Sequence, residues 1–381
     1  MFDRAVQFFS SLRLTVALLA LGLVLVFWGT LAQVHLGLYQ AQNDFFRSFF
    51  VYWSPAGSRL RIPIFPGGYA IGWLLLVNLF AAHFRYYKPG DKKYGIVMIH
   101  LGIVLLLFGQ LLTDVFSTES IMHLRNGDAK NYSEATRRYE LAVVDTTDPQ
   151  TDKVVAIPAR RLFQHGDISH PSLPFSVRVQ TLYANSLLAE KPEDGYSEIK
   201  TTAGSGSGLW WRELPRETDP DRRDMMSGIV ELITPQGSLG SYLLSSFLTR
   251  AQELTYNGRT YELSLRPERF YKPFVIHLLE FKHDKYAGTD IPKNFSSRIR
   301  LQRSDTGENR EVLIYMNNPL RYAGETYYQA SFDPDDHGTV LEVVHNPSWL
   351  TPYFSCVLVA AGLIFHFVKH LVSFAADRRP S

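Results

Sequence analysis

Four long apolar segments constrain the fold of this chain more than any other feature of its sequence. Crossing the hydrocarbon core of a bilayer takes about 20 residues in a helix that rises about 1.5 Å per residue. The four segments are residues 14–32, 66–84, 94–113 and 352–368. The first has a longer apolar run than a secretory signal and no clear small-residue cleavage site in TLAQVH, which favours a retained anchor. The pattern predicts an integral membrane protein with four transmembrane helices.

The composition shows that a large part of the chain faces water. The 381 residues are 46% hydrophobic, but a mean hydropathy of −0.08 is too polar for a protein that lies wholly in lipid. The formal net charge is +2 and no long basic run is present, so nothing indicates a nucleic-acid partner. The single cysteine, Cys356, excludes an internal disulfide, a CxxC pair and a CxxCH haem-attachment site in these 381 residues.

The positions of lysine and arginine predict how the chain crosses the membrane, because cytoplasmic segments are enriched in these residues. The basic residues near helix ends are Arg4, Arg13, Arg85, Lys88, Lys92, Lys93, Lys369, Arg378 and Arg379. They place both termini and the 85–93 loop in the cytoplasm, and the 33–66 loop outside. Arg47, Arg59 and Arg61 in that outer loop weaken the asymmetry without reversing it.

The segment between the third and fourth helices predicts a β-rich domain outside the membrane. RYELAVVD, KVVAIPARRLF and FSVRVQTLYA are rich in β-branched and aromatic residues, and Asn257-Gly258 between alternating segments is a strong hairpin signal. TTAGSGSG (201–208) is typical of a flexible loop. We expect three membrane helices in residues 1–115, an extracytoplasmic β-sandwich or open barrel in 116–348, and a last helix with a short cytoplasmic tail in 349–381.

A histidine inside the third apolar segment raises a functional question. His100 lies in GIVMIHLGIVLLLFGQLL (95–112), roughly 9 Å along the helix from Tyr94, where a polar ring needs a partner. Gly95, Gly102 and Gly109 recur every seven residues, which favours close approach of a neighbouring helix. His100 is about 200° around the helix from Gly102, so its imidazole should face a different neighbour.

Two further histidines are predicted in the same leaflet. His83 ends the second helix in LFAAHFRYY, and His366 lies near the cytoplasmic end of the fourth in GLIFHFVKH. Each could hydrogen-bond water, a headgroup or another helix. Alternatively, these histidines bind a metal, because neutral imidazole is the commonest nitrogen ligand for transition metals. A flat apolar macrocycle fits between helices better than a hydrated ion, and no HExxH motif is present, so haem is a better candidate than zinc.

Several stretches of the sequence resemble the ResB/CcsB family of cytochrome c biogenesis proteins. They are SSLRLTVALLALGLVLVFWGTLAQ, NLFAAHFRYYK, GIVMIHLGIVLLLFGQLLTD and YYQASFDPDDHGTVLEVVHNPSWLTPYFSCVLVAAGLIFHF. The order of three membrane helices, a large external β-rich domain and one closing helix is similar to that family along essentially the whole chain.

The resemblance implies a subunit of a cytochrome c biogenesis complex in the bacterial cytoplasmic (inner) membrane. Such proteins work with a CcsA/ResC-type membrane partner to export haem and deliver it for covalent attachment to apocytochrome c. The chain lacks the partner's tryptophan-rich external motif, since Trp210-Trp211-Arg212 does not match it. The resemblance therefore implies a non-catalytic or co-catalytic subunit of a haem lyase complex, with no catalytic residues of its own.

The resemblance also implies a cofactor site. Haem b, bound transiently, would take one axial histidine from this chain and another from the partner. His83 and His100 are the two candidate axial ligands of the haem iron, and His366 is a third, weaker cofactor-binding candidate. The sequence leaves open which of the first two is axial.

The remaining histidines of the external portion show no ligand spacing, which favours solvated surface positions. They are His35, His123, His165, His170, His277, His283, His337 and His345. Two other functions compete with haem delivery. One is a membrane-anchored extracytoplasmic binding or sensing protein without haem, and the other is a b-type haem electron-transfer subunit.

Overall fold

A computed structural model of the chain describes residues 2–55, 60–86, 94–164, 166–217, 222–286, 288 and 292–377. The chain forms two compact units. The first contains the chain up to Thr118 and from Asn346 onward, and the second contains Glu119–Glu217 and Asp221–His345. Several residues used above lie outside the described ranges, namely Arg59, Lys88, Lys92, Lys93, His165, Arg378 and Arg379.

Helices dominate the first unit. The helices of the described chain are α1 (Phe2–Phe9), α2 (Leu12–Ala41), α3 (Gly68–Tyr86), α4 (Tyr94–Phe116), α5 (Ala159–Leu162) and α6 (Thr351–Asp377). All except α5 belong to the first unit. Helix α2 runs nine residues beyond the predicted end at residue 32 and continues into a π-helical turn, Gln42–Phe46, with a kink at Gly37, whose φ is +76°.

Among the described residues, three helices are long and apolar enough to cross a membrane. They are Leu12–Phe46, Tyr94–Phe116 and Thr351–Ala375. Leu23, Leu101 and Val357 on these helices are more than half exposed, as side chains that face lipid should be. The predicted second span does form helix α3, but Asn78 and His83 make it less apolar, so the predicted count of four spans is not confirmed.

Helix α3 is joined to the start of the chain through Asn78, which is 3% exposed. The Asn78 side-chain amide donates to the carbonyl oxygens of Phe9 (2.6 Å) and Ser11 (3.1 Å), at the junction of α1 and α2. The hydroxyl of Thr15 on α2 donates to Asn78 Oδ1 at 2.6 Å. A buried amide is costly unless its donors and acceptors are paired, so these bonds fix α3 against α1 and α2.

The glycine stripe on α4 packs against α6, which confirms the prediction of a close helix neighbour. A Cβ atom added at Gly102 would lie 2.5 Å from Val359 Cγ2 and 3.0 Å from the Ser355 carbonyl oxygen. At Gly109 it would lie 2.4 Å from Thr351 Cγ2. Backbones this close leave room only for glycine, so α4 and α6 form a tight pair.

Strands dominate the second unit. The strands are β1 (Phe50–Trp53), β2 (Ile62–Pro66), β3 (Thr118–Arg125), β4 (Ala129–Asp145), β5 (Lys153–Pro158), β6 (Asp167–Ile168), β7 (Ser176–Tyr183), β8 (Ser186–Ala189), β9 (Ser197–Glu198), β10 (Trp210–Glu213), β11 (Ser227–Thr234), β12 (Gly237–Ser245), β13 (Gln252–Tyr256), β14 (Arg259–Lys285), β15 (Pro292–Arg303), β16 (Glu308–Tyr315), β17 (Leu320–Tyr322), β18 (Glu325–Phe332) and β19 (Gly338–His345). Strands β1 and β2 pair in the first unit. The predicted β-rich domain is confirmed.

Two sheets enclose the first hydrophobic core of the second unit. A ten-stranded sheet has the order β16-β15-β14-β4-β3-β19-β18-β17, with β13 and β5 added beside β14 and β4, and a four-stranded sheet has the order β12-β11-β7-β6. Leu141 and Leu263 of the larger sheet and Val177 and Leu232 of the smaller one lie in one core. A second core contains Phe274 and residues further along β14, so this long strand links the two cores.

The hairpin signal is confirmed at Asn257-Gly258, which joins β13 to β14. Both residues have positive φ, +51° and +75°, as a two-residue hairpin turn requires. KVVAIPARRLF is a strand only as far as Pro158, after which α5 begins. The glycine-rich loop at 201–208 was expected to be flexible, but Gln252 Oε1 accepts from the Ser205 amide at 3.0 Å and the Thr202 amide donates to Ser241 Oγ at 2.9 Å.

Candidate functional site

The structure places His83 and His100 at the same end of two neighbouring helices. His83 lies in the last turn of α3 and His100 in the second turn of α4. Both side chains are half-buried. His100 lies on the side of α4 away from the glycine stripe that contacts α6.

His366 occupies a different position, on the α4–α6 contact. A Cβ atom added at Gly95 would lie 2.9 Å from His366 Cβ and 3.0 Å from its backbone nitrogen. The His366 ring packs against His370, with ring centroids 4.5 Å apart. His366 therefore shares the end of the first unit where α4 begins, but its backbone is part of a helix contact rather than of the α3–α4 pair.

The described histidines of the second unit are not all solvated. His123 Nε2 pairs with Asp333 Oδ1 at 2.8 Å. The His283 side chain is only 7% exposed, pairs through Nδ1 with Asp336 Oδ1 at 2.9 Å, and packs on the rings of Phe295 and Phe332. The solvated position expected for His283 is therefore wrong. No group of three or more potential metal ligands occurs among the described residues.

Sequence reasoning missed a charged cluster at the other end of the same helices. Asp114, near the end of α4, accepts from Arg47 Nε at 2.9 Å and from the hydroxyl of Tyr69 at the start of α3. Asp114 could have indicated this cluster, because it is the single carboxylate in the apolar helix α4. The ion pair and hydrogen bond tie the segment after α2 to α3 and α4.

A cavity of about 470 Å³ opens beside this cluster, within the first unit. Its lining is mostly apolar, with Arg47, Tyr69 and Asp114 at one side. The other lining residues are Leu38, Gln42, Phe46, Gly68, Gly72, Trp73, Leu76, Leu107, Gln110 and Leu111. The described part of the first unit therefore has the two histidines where α3 ends and α4 begins, and this charged cluster at the opposite ends of the same helices.

The residues around the histidine pair fit a haem. Two imidazoles from adjacent helices can each offer a neutral ring nitrogen, the donor that haem iron takes in membrane helices. Apolar residues of α4 surround His100 in the sequence, and the half-buried rings leave part of each imidazole accessible. The glycine stripe keeps α6 on the opposite side of α4, so the α3-facing side of His100 stays separate from that helix contact.

Comparison with known proteins finds a family model and a curated relative that match this chain. Residues 252–340, which run from β13 into β19, match the sequence model of the ResB-like family. Protein NrfI of Wolinella succinogenes is 23% identical over 274 residues, which cover 71% of this chain and 27% of that protein. The chain thus spans little more than a quarter of the length of this curated relative.

The two matches confirm the resemblance to the ResB family that the sequence motifs indicated. Together with the apolar helices of the described chain, they support a membrane protein that resembles the ResB-like family.

Proposed function

We propose that this ResB-like chain is the haem-binding membrane subunit of a cytochrome c biogenesis complex, and that it helps to export haem b and deliver it to apocytochrome c. The haem is cargo that the chain holds transiently. The observation that carries the proposal is the position of His83 and His100, two half-buried imidazoles at the same end of adjacent apolar helices. One of them supplies an axial ligand of the haem iron, and the CcsA/ResC-type partner supplies the other.

The chain's own residues hold and orient the cargo in this proposal. The Asn78 hydrogen bonds fix the middle of α3 against α1 and α2, and the Arg47–Asp114–Tyr69 cluster fixes the start of α3 against α4. With α3 held at these two places, His83 and His100 keep their relative position when haem enters or leaves. The attachment chemistry lies on the partner, which makes this chain a non-catalytic or co-catalytic subunit of the haem lyase complex.

The proposal includes an orientation in the bacterial cytoplasmic membrane. Four crossings, with α3 as the second, put both termini in the cytoplasm and the β-rich domain outside. We expect reporter fusions after residue 90 and at the C-terminus to report the cytoplasm, and a fusion near residue 200 to report the outside. A cytoplasmic signal near residue 200 would rule out export of haem toward this domain.

Deletion and complementation test the proposed function. Cells that lack the chain should lose haem-stained c-type cytochromes and keep their b-type cytochromes, because only covalent attachment fails. The chain supplied from a plasmid should restore the c-type bands. Normal c-type cytochromes in the deletion strain would contradict the proposal, and would favour an anchored sensing protein or an electron-transfer subunit.

A further inference from the structure

A second cavity, of about 440 Å³, lies in the β-rich unit. We call it the arginine pocket, because its lining includes Arg137, Arg138, Arg160 and Arg216. The other lining residues are Tyr139, Pro158, Ala159, Phe163, Ala184, Asp224, Met226 and Glu268. They come from β4, the β5–α5 junction and the residues just after it, the connection between β7 and β8, the connection between β10 and β11, and β14.

The positive charge of the arginine pocket is only partly neutralised by protein groups. Arg138 Nε pairs with Glu268 Oε2 at 3.0 Å, and Arg137 Nη1 donates to the Glu217 carbonyl oxygen at 2.9 Å. Arg160 and Arg216 are exposed, and neither makes an ion pair or hydrogen bond with another described residue. A cavity with four arginines and two carboxylates favours an anion.

A fifth arginine beside the pocket has an unused donor. Nη2 of Arg223 is buried and has no hydrogen-bond partner in the described part of the chain. Arg223 directly precedes the lining residue Asp224. Burial raises the pKa of the lining residue Tyr139, and the positive charge of Arg223 acts in the opposite direction. A buried guanidinium donor left unpaired is destabilising, and Arg223 adds a further positive charge beside the pocket.

The remaining walls of the pocket are apolar. Phe163, Pro158 and Ala184 line one part, and Met226, which is 2% exposed, lines another. Small-molecule sites are concave, have volumes of roughly 300–1,000 Å³, and combine apolar walls with a few convergent polar groups. An inorganic anion would leave the apolar walls uncovered.

We infer that the arginine pocket binds a small organic anion with an apolar body, through Arg160 and Arg216. This goes beyond the proposed function, which places haem at His83 and His100 in the other unit. A carboxylate suits this site, because an arginine can donate two parallel hydrogen bonds to it.

Iron-free protoporphyrin IX is a suitable probe, because it has a flat apolar body and two carboxylates but no iron for a histidine to bind. We expect saturable binding to the full chain in neutral detergent, followed by porphyrin fluorescence. The Arg160→Gln/Arg216→Gln double variant should bind at least about tenfold more weakly, since hydrogen bonds to charged groups carry free energies on that scale.

Matched controls separate the pocket from general electrostatics and from the haem site. Arg300→Gln/Arg310→Gln removes the same charge from exposed positions on β15 and β16 and should leave binding unchanged. His83→Ala should also leave it unchanged, which separates this result from the proposed function. The protoporphyrin dimethyl ester should bind wild type and the pocket variant equally.

Three outcomes would overturn the inference. They are equal porphyrin affinity in wild type and the pocket variant, equal losses in the pocket and control variants, and wild-type binding of the ester as tight as that of the free acid. Displacement of the porphyrin by millimolar inorganic phosphate at constant ionic strength would also overturn it, because the apolar body would then contribute nothing.

Discussion

Replacing His83 or His100 by alanine is expected to lower the haem recovered with the purified complex and to reduce cytochrome c maturation. In the proposed site, the change would remove the bond from imidazole to the haem iron and leave helices α3 and α4 in place. The loss of haem affinity should exceed tenfold for the axial residue, since removing even an outer-shell partner of a metal ligand costs about 10–100-fold. Haem per complex, measured by visible absorption, is compared with the amount of mature cytochrome c in the same cells.

Added imidazole provides the control for this prediction. A small free ligand can enter the space left by the missing ring and restore coordination, which it cannot do for a folding defect. We expect rescue at only one of the two positions. His366→Ala is the matched variant and should have little effect, because His366 lies on the α4–α6 contact. Normal haem content and normal cytochrome c maturation in all three variants would contradict this prediction. The three histidines would then only contribute to helix packing.

Replacing Gly102 by alanine is expected to destabilise the first unit. The new Cβ would lie 2.5 Å from Val359 Cγ2 and 3.0 Å from the Ser355 carbonyl oxygen, so α4 and α6 must move apart. Overpacking of this kind typically costs about 1–3 kcal/mol. The measurement is thermal unfolding of the full chain in detergent, together with the amount of chain that accumulates in the membrane.

Gly72 on α3 provides a matched control for Gly102. A Cβ atom added at Gly72 has no neighbour within 4 Å. Gly72→Ala should therefore be neutral or stabilising, by up to about 1 kcal/mol, because alanine favours a helix more than glycine does. Equal effects of the two substitutions would show that helix propensity, and not the α4–α6 contact, accounts for the result.

The sequence predicts the helices and hairpins of this fold well, because they depend on local patterns. The apolar run of α4, its glycine period and the Asn257-Gly258 turn each act within a few residues of the chain. The extension of α2 beyond residue 32 was missed, because Gly37 and the π-helical turn belong to a less apolar stretch. That α3 crosses the membrane stays a prediction, since Asn78 and His83 lower the hydropathy of this helix.

The candidate site was predictable only in part, because it depends on contacts between distant segments. His83 and His100 were identified from their helices, and the glycine stripe gave the side of α4 that faces α6. The sequence contains no indication that Asp114 pairs with Arg47, 67 residues earlier, or that arginines from three separate segments line one pocket. The buried His283 was also missed, since its aromatic neighbours lie on other strands.

The most direct test of a haem-binding membrane subunit is the visible absorption spectrum of the complex purified through this chain. We expect haem b in the complex that contains the CcsA/ResC-type partner, with less haem when this chain is purified alone, because the partner supplies one axial ligand. The spectrum should lose intensity in the His83→Ala or His100→Ala variant and recover it with imidazole. A complex that contains the partner but is colourless, while cytochrome c still matures, would contradict the account.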